Sequence, residues 1–144
     1  LVEGQCENMR LLLCRRSPLK RLWGGVLADS CAGHPLPGEG VAAATARRIN
    51  EELGIMREPD ELKHLGHVVY REDHGDGRCE CEWCEVYLAR VKPGELHINQ
   101  EEISEVRRVA LSELDGYLQG HPEQLAPWLR EALSDPSIRT ALAM

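Results

Sequence analysis

The 144-residue chain contains no phenylalanine, and its composition is otherwise ordinary. It also has no excess of positive charge: 17 Lys and Arg face 24 Asp and Glu, for a formal net charge of -7. An acidic chain of this kind gives no sign of a duplex-binding face, which excludes a nucleic-acid polymer as the expected partner. No apolar run reaches the roughly eighteen residues that a membrane span requires. The run "RLLLCRR" is too short and too closely flanked by charge to act as a secretory signal, so a cytoplasmic location, away from membranes, is the expectation. Without such a signal the six cysteines (Cys6, Cys14, Cys31, Cys79, Cys81, Cys84) read as reduced, mostly packed thiols. The cluster "CECEWC" has the spacing C-x-C-x2-C, but no second pair of ligands follows at finger-like distance, which argues against structural zinc.

There is no internal repeat and no low-complexity linker, so residues 1–144 read as one domain, a size that buries roughly two-thirds of the unfolded surface. The chain opens at Leu1 rather than Met, and the reading allows for residues ahead of it. "MRLLLCRR" reads as a buried strand, and "LWGGVLAD" follows with glycines where backbone must approach closely. Between Val41 and Leu53 the apolar residues Ala42, Ala46, Ile49 and Leu53 recur at helical spacing, and Gly54 supplies a stop. "LKHLGHVVYRE" and "CECEWCEVYLARV" are β-type stretches around the turn signal "DHGDG". "EEISEVRRVALSELDGYL" mixes a short strand with a helix, and "PEQLAPWLREAL" reads as a closing helix starting near Pro122. The order strands, helix, strands, helix predicts an α/β or α+β sandwich.

The chemistry concentrates in "SCAGHPLPGEG" and the helix that follows it. Arg47 and Glu51 are four apart, as are Arg48 and Glu52, so each pair meets on one helix face. Taken alone, these are ion pairs of a few tenths of a kcal/mol on a solvated surface. Glu39, Glu51 and Glu52 beside a glycine-bearing loop form a cluster of hard oxygen ligands suited to Mg²⁺, with loop N–H groups available to a diphosphate. Glu80 and Glu82 alternate on a strand, point to one face, and with His34 offer a mixed nitrogen and oxygen site suited to Mn²⁺ or Zn²⁺.

The pattern Gly33-x5-Glu39-x7-Arg47-x-Ile49-x-Glu51-Glu52-x-Gly54-Ile55 resembles the Nudix box, with Arg48 where a glutamate is usual. That resemblance implies an α/β/α sandwich, a mixed sheet flanked by helices, and a Mg²⁺- or Mn²⁺-dependent enzyme acting on a small-molecule diphosphate, as a monomer or homodimer. A narrower resemblance covers most of the chain: "RRSPLKRLWGGVLADSCAGHP" is similar to the corresponding region of type I isopentenyl-diphosphate isomerases. It implies phosphate-binding roles for Arg16, Lys20 and Arg48, metal binding at His34, Glu80 and Glu82, and a second metal at Glu52. Tyr70 stands ten residues before Glu80 as in that group, and Trp128 in "APWL" falls on the aromatic that faces the substrate's hydrocarbon.

The resemblance breaks where the reaction requires it most. The isomerases use a cysteine two residues before the histidine, and here that position is Ala32. Cys31 is adjacent but, on an extended segment, points to the other face. Asp29 stands where asparagine is usual and Leu27 where tryptophan is usual. Three readings follow. The first is a diphosphate hydrolase in which Glu52, Glu51 and Glu39 hold Mg²⁺, Arg16, Lys20 and Arg48 hold phosphates, and Glu82 or Glu80 orients water. The second is an isomerase converting isopentenyl to dimethylallyl diphosphate, with Glu82 as the surviving acid–base group and Trp128 stabilising positive charge. The third is a retired diphosphate-binding module. The paired carboxylates Glu51 and Glu52 favour hydrolysis by a narrow margin.

Overall fold

The fold was analysed in a computed structural model, which describes residues 1–4 and 8–144; Cys6 lies outside them. The organising element is β2 (Arg10–Arg16), whose apolar run is buried on both sides. Leu11 and Leu13 enter one core while Leu12 and Cys14 enter the other, the signature of a central strand with both faces covered. Along one edge β2 pairs antiparallel with β7 (Ile103–Ala110), from Arg10 opposite Ala110 to Arg16 opposite Ile103. Its other edge is shared by β1 (Val2–Glu3) and β3 (Leu27–Ala28), and β1 in turn pairs parallel with β6 (Arg90–Val91). The sheet is therefore mixed, as expected.

On one face lies α1 (Val41–Leu53), which buries Ala46, Ile49 and Leu53 against Leu12, Cys14 and Ile103. Each fully buried aliphatic side chain of this kind contributes on the order of 2 kcal/mol. The helix stops where the sequence predicts: Gly54 adopts the left-handed conformation (φ 67°) and its N–H donates to Asn50 O at 2.9 Å. On the opposite face packs the hairpin of β4 (Lys63–Asp73) and β5 (Cys79–Leu88), with α2 (Leu114–Gly120) and α3 (Pro127–Ser134).

One expectation, the start of the closing helix, is corrected. "LWGGVLAD" yields only the two-residue β3, because Trp23 takes a left-handed backbone (φ 55°) and the carbonyls of Ser17, Pro18 and Lys20 close on Gly24. The closing helix begins at Pro127, not Pro122; Pro122–Gln124 is one 3-10 turn, and the backbone of Leu125 is extended. A further helix, α4 (Pro136–Ala143), follows, with Asp135 accepting from the N–H groups of Ser137 and Ile138. Cys79 and Cys81 are exposed rather than packed, whereas Cys14 is buried and Cys31 and Cys84 are half-buried.

Candidate functional site

On β5 the ordinary binary pattern is reversed. Cys79, Cys81 and Trp83 face outward, and Glu80, Glu82 and Cys84 face inward. Carboxylates directed inward require partners, and the neighbouring elements supply them. Tyr70, opposite Glu82 across the hairpin, donates from its hydroxyl to Glu80 Oε2 at 3.0 Å and to Glu82 Oε2 at 3.2 Å. Trp23 Nε1 donates to Glu80 Oε2 at 2.7 Å, and His34 Nε2 lies 2.9 Å from Glu82 Oε1. Burial, followed by the charges of Glu82 and Glu80, pushes the Tyr70 hydroxyl well above its ordinary range, so it acts as a donor. The structure thus brings His34, Tyr70, Glu80 and Glu82 together.

The same cavity, about 610 Å³, is lined by these residues and by Arg16, Lys20 and Arg48. Lys20 Nζ and Arg48 Nη2 meet Glu102 at 2.5 and 3.5 Å, so one carboxylate gathers two of the cations. Arg16 Nε and Arg48 Nε are buried with no hydrogen-bond partner among the described residues. Such orphaned cationic donors suit an incoming anion, because leaving them unpaired is costly. Gly33 makes the loop fit: a Cβ there would lie 2.8 Å from the Arg48 side chain. Trp128 sits under the Arg16 guanidinium (5.3 Å) and 6.1 Å from the Tyr70 ring. The remaining wall is apolar, with Leu13, Val68, Leu129 and Ile138 among its side chains.

The carboxylates of the box lie apart from this wall. Glu39 is taken up by Arg47 through both oxygens at 2.9 Å and by the Leu36 N–H at 2.8 Å, which hold it down at about 2. Glu51 is shared by Arg47 and Arg48 and faces solvent. Glu52 contacts Arg48 Nη2 at 2.5 Å, yet burial outweighs that pairing and lifts its carboxyl to about 7. None of the three lines the cavity. Among the described residues no three His, Cys, Asp or Glu side chains close into a ready metal cage.

Sequence reasoning missed Glu102 and Trp23. Nothing local marks either: Glu102 lies 82 residues from the Lys20 it pairs with, and Trp23 lies 57 from Glu80.

This geometry is the setting for the comparisons. A NUDIX domain family model matches residues 4–134. The chain belongs to the Nudix family. Among curated Nudix relatives, the isopentenyl-diphosphate Delta-isomerase of Corynebacterium diphtheriae is 35% identical over 136 residues, covering 92% of this chain and 73% of its own. The enzyme of that name from Paenarthrobacter aurescens is 38% identical over 134 residues, covering 93% and 71%. Among solved structures, a C. elegans Ap4A hydrolase binary complex aligns with TM-score 0.61 at 15% identity, over 99% of this chain and 91% of that one. The NUDIX domain of Shewanella oneidensis NrtR complexed with ADP ribose aligns with TM-score 0.63 at 15% identity, over 98% and 82%. At such identities these two establish the Nudix fold alone. No helix among the described residues is long and apolar enough to cross a membrane.

Proposed function

We propose that this Nudix protein binds a small alkenyl diphosphate and moves its double bond, converting isopentenyl to dimethylallyl diphosphate. One observation carries the reading: three cations (Arg16, Lys20, Arg48), an acid–base group (Tyr70, Glu80, Glu82, His34) and apolar side chains with Trp128 share one cavity. A diphosphate with a short hydrocarbon tail matches that combination of chemistry. The names of the curated relatives support the same substrate.

Although no ready metal cage is formed among the described residues, the donor types on this wall suit a divalent cation. His34 and the two inward carboxylates offer one imidazole and hard oxygens on one wall, and would hold Mn²⁺ or Mg²⁺, which when bound neutralises diphosphate charge. Glu52 does not line this cavity and pairs with Arg48, so it belongs to a separate, second cation position, where a bound cation would favour its charged form. The chain's own residues do the rest. Arg16, Lys20 and Arg48 orient the phosphates through charge-assisted bonds. Tyr70 fixes Glu80 and Glu82, and Glu82 exchanges a proton with the carbon chain. The Trp128 ring stabilises positive charge that develops there.

Hydrolysis of a P–O bond is the second reading, favoured by Ala32 in place of a thiol. Glu39, Glu51 and Glu52 would serve it as Mg²⁺ ligands, but their arginine partners and their position away from the cavity weigh against it. The deciding experiment incubates the protein with Mg²⁺ or Mn²⁺ and isopentenyl diphosphate in D₂O. We expect deuterium in the allylic product without phosphate release. In Glu82→Gln that activity should fall by about 10² to 10⁴. Phosphate release instead overturns the reading in favour of hydrolysis, and neither signal leaves a binding protein.

A further inference from the structure

Asp29 follows β3 directly and lines the same cavity as Ala32, Tyr70, Glu82 and Trp128. Trp128 Nε1 donates to its Oδ1 at 2.8 Å, and no other side chain bonds to this carboxyl among the described residues. Asp29 is half-buried at the cavity wall, and a carboxyl packed there with one side-chain donor is costly when ionised. Burial accordingly raises its affinity for a proton, outweighing the opposing pulls of Trp128 and the Arg16 guanidinium. A carboxyl whose proton affinity burial raises and that lines the cavity beside Trp128 is a candidate for chemistry.

The proposed isomerisation lacks such a group. It must deliver a proton at one carbon and remove one at another, and Glu82 accounts for a single transfer. Ala32 supplies no second. Cys84 is no substitute: it sits on the Glu82 strand with Sγ 3.8 Å from Glu82 Oε2, and burial pushes its thiol up to about 12. Cys31 also touches the cavity, but burial raises its thiol well above the ordinary value. Tyr70 and His34 are bonded to the Glu80 and Glu82 carboxylates and stand with them on the hairpin side. That leaves Asp29, directly after β3 of the central sheet, as the group on the other side.

Resting on that isomerase reading, we propose that Asp29 is the second proton-transfer residue, delivering from the central sheet the proton that Ala32 cannot. The Asp29 proton passes to the terminal carbon of the alkene, whose π electrons form the new C–H bond and leave a tertiary cation beside Trp128. The Glu82 carboxylate then takes the proton from the carbon next to the cation on its diphosphate side. The electrons of that C–H bond become the new double bond. Nothing is oxidised or reduced, and exchange with solvent returns both carboxyls to their starting forms.

The test compares the unmodified protein with Asp29→Asn and with Asp29→Asn/Ala32→Cys, in D₂O with Mn²⁺ and isopentenyl diphosphate. Asparagine is isosteric and keeps an oxygen for Trp128, and thermal melting checks that the fold survives. We expect Asp29→Asn to lose about 100-fold or more of the isomerisation rate, with calorimetric binding of isopentenyl diphosphate held within threefold. The added thiol should restore at least tenfold. Activity in Asp29→Asn within a few-fold of the parent overturns the proposal while leaving the isomerase reading intact. Parallel loss of binding, or no recovery with the thiol, overturns it in favour of a structural role. A parent protein with no isomerisation removes both.

Discussion

Glu52 is a buried carboxyl that costs stability when charged, and replacing it with glutamine reads that cost directly. The residue is 5% exposed, and its carboxyl rises from an ordinary 4.5 to about 7 because burial outweighs the pull of Arg48. A raised carboxyl pKa means the folded chain holds a proton that the unfolded chain has released. Below about pH 4.5 both states are protonated and the residue costs nothing; as pH climbs toward 7 stability falls, and above 7 the loss is complete. At about 1.4 kcal/mol per pH unit the shift corresponds to about 3 kcal/mol. Urea unfolding of parent and Glu52→Gln in a chelating buffer at pH 4.5, 6 and 8 measures it. The two should match at the acid end, and the variant should be more stable by about 2–3 kcal/mol at pH 8. Taking the difference between the two proteins cancels contributions from the other carboxylates. A difference that stays flat with pH, or a variant less stable at pH 8, would refute the account of Glu52 as a desolvated carboxylate. Mn²⁺ at pH 8 should raise the stability of the parent more than that of the variant.

Thiol labelling under native conditions should modify Cys79 and Cys81 first, since both are exposed. Cys14 and Cys84, whose burial pushes them up to about 12, should label only slowly, and mass spectrometry of the digested protein reads the order. Gly54→Ala should destabilise by about 1–3 kcal/mol in denaturant unfolding, because it forces a left-handed backbone and brings a Cβ within 2.7 Å of His97 Cβ. A loss below a few tenths of a kcal/mol would mean that the cap relaxes.

Where the chemistry lies within a short stretch, the sequence was legible. The α1 helix, its Gly54 stop and the i,i+4 partners of Arg47 and Arg48 all depend on spacing within one element, and each lies where periodicity predicts. The two-sided burial of "LLLC" in β2 likewise follows from an unbroken apolar run. The last third was less legible. Pro122 carries a helix-start signal, but the chain makes one 3-10 turn there and leaves the helix to Pro127; α4 depends on a local cap, Asp135, that periodicity did not reveal.

The sequence by itself determined the box, its helix, and the residue types for phosphate and metal chemistry, because those require fixed spacings along one chain segment. Only the tertiary structure decided which of them act together. It joined His34 to Glu82 across 48 residues and Trp128 to Asp29 across 99, and it gathered Lys20 and Arg48 on Glu102. It also turned Glu39 onto Arg47 and set the three box carboxylates away from the cavity. Pairings of that range depend on how the hairpin and α3 pack over the central sheet, and packing is a property of the assembled core that no local pattern encodes.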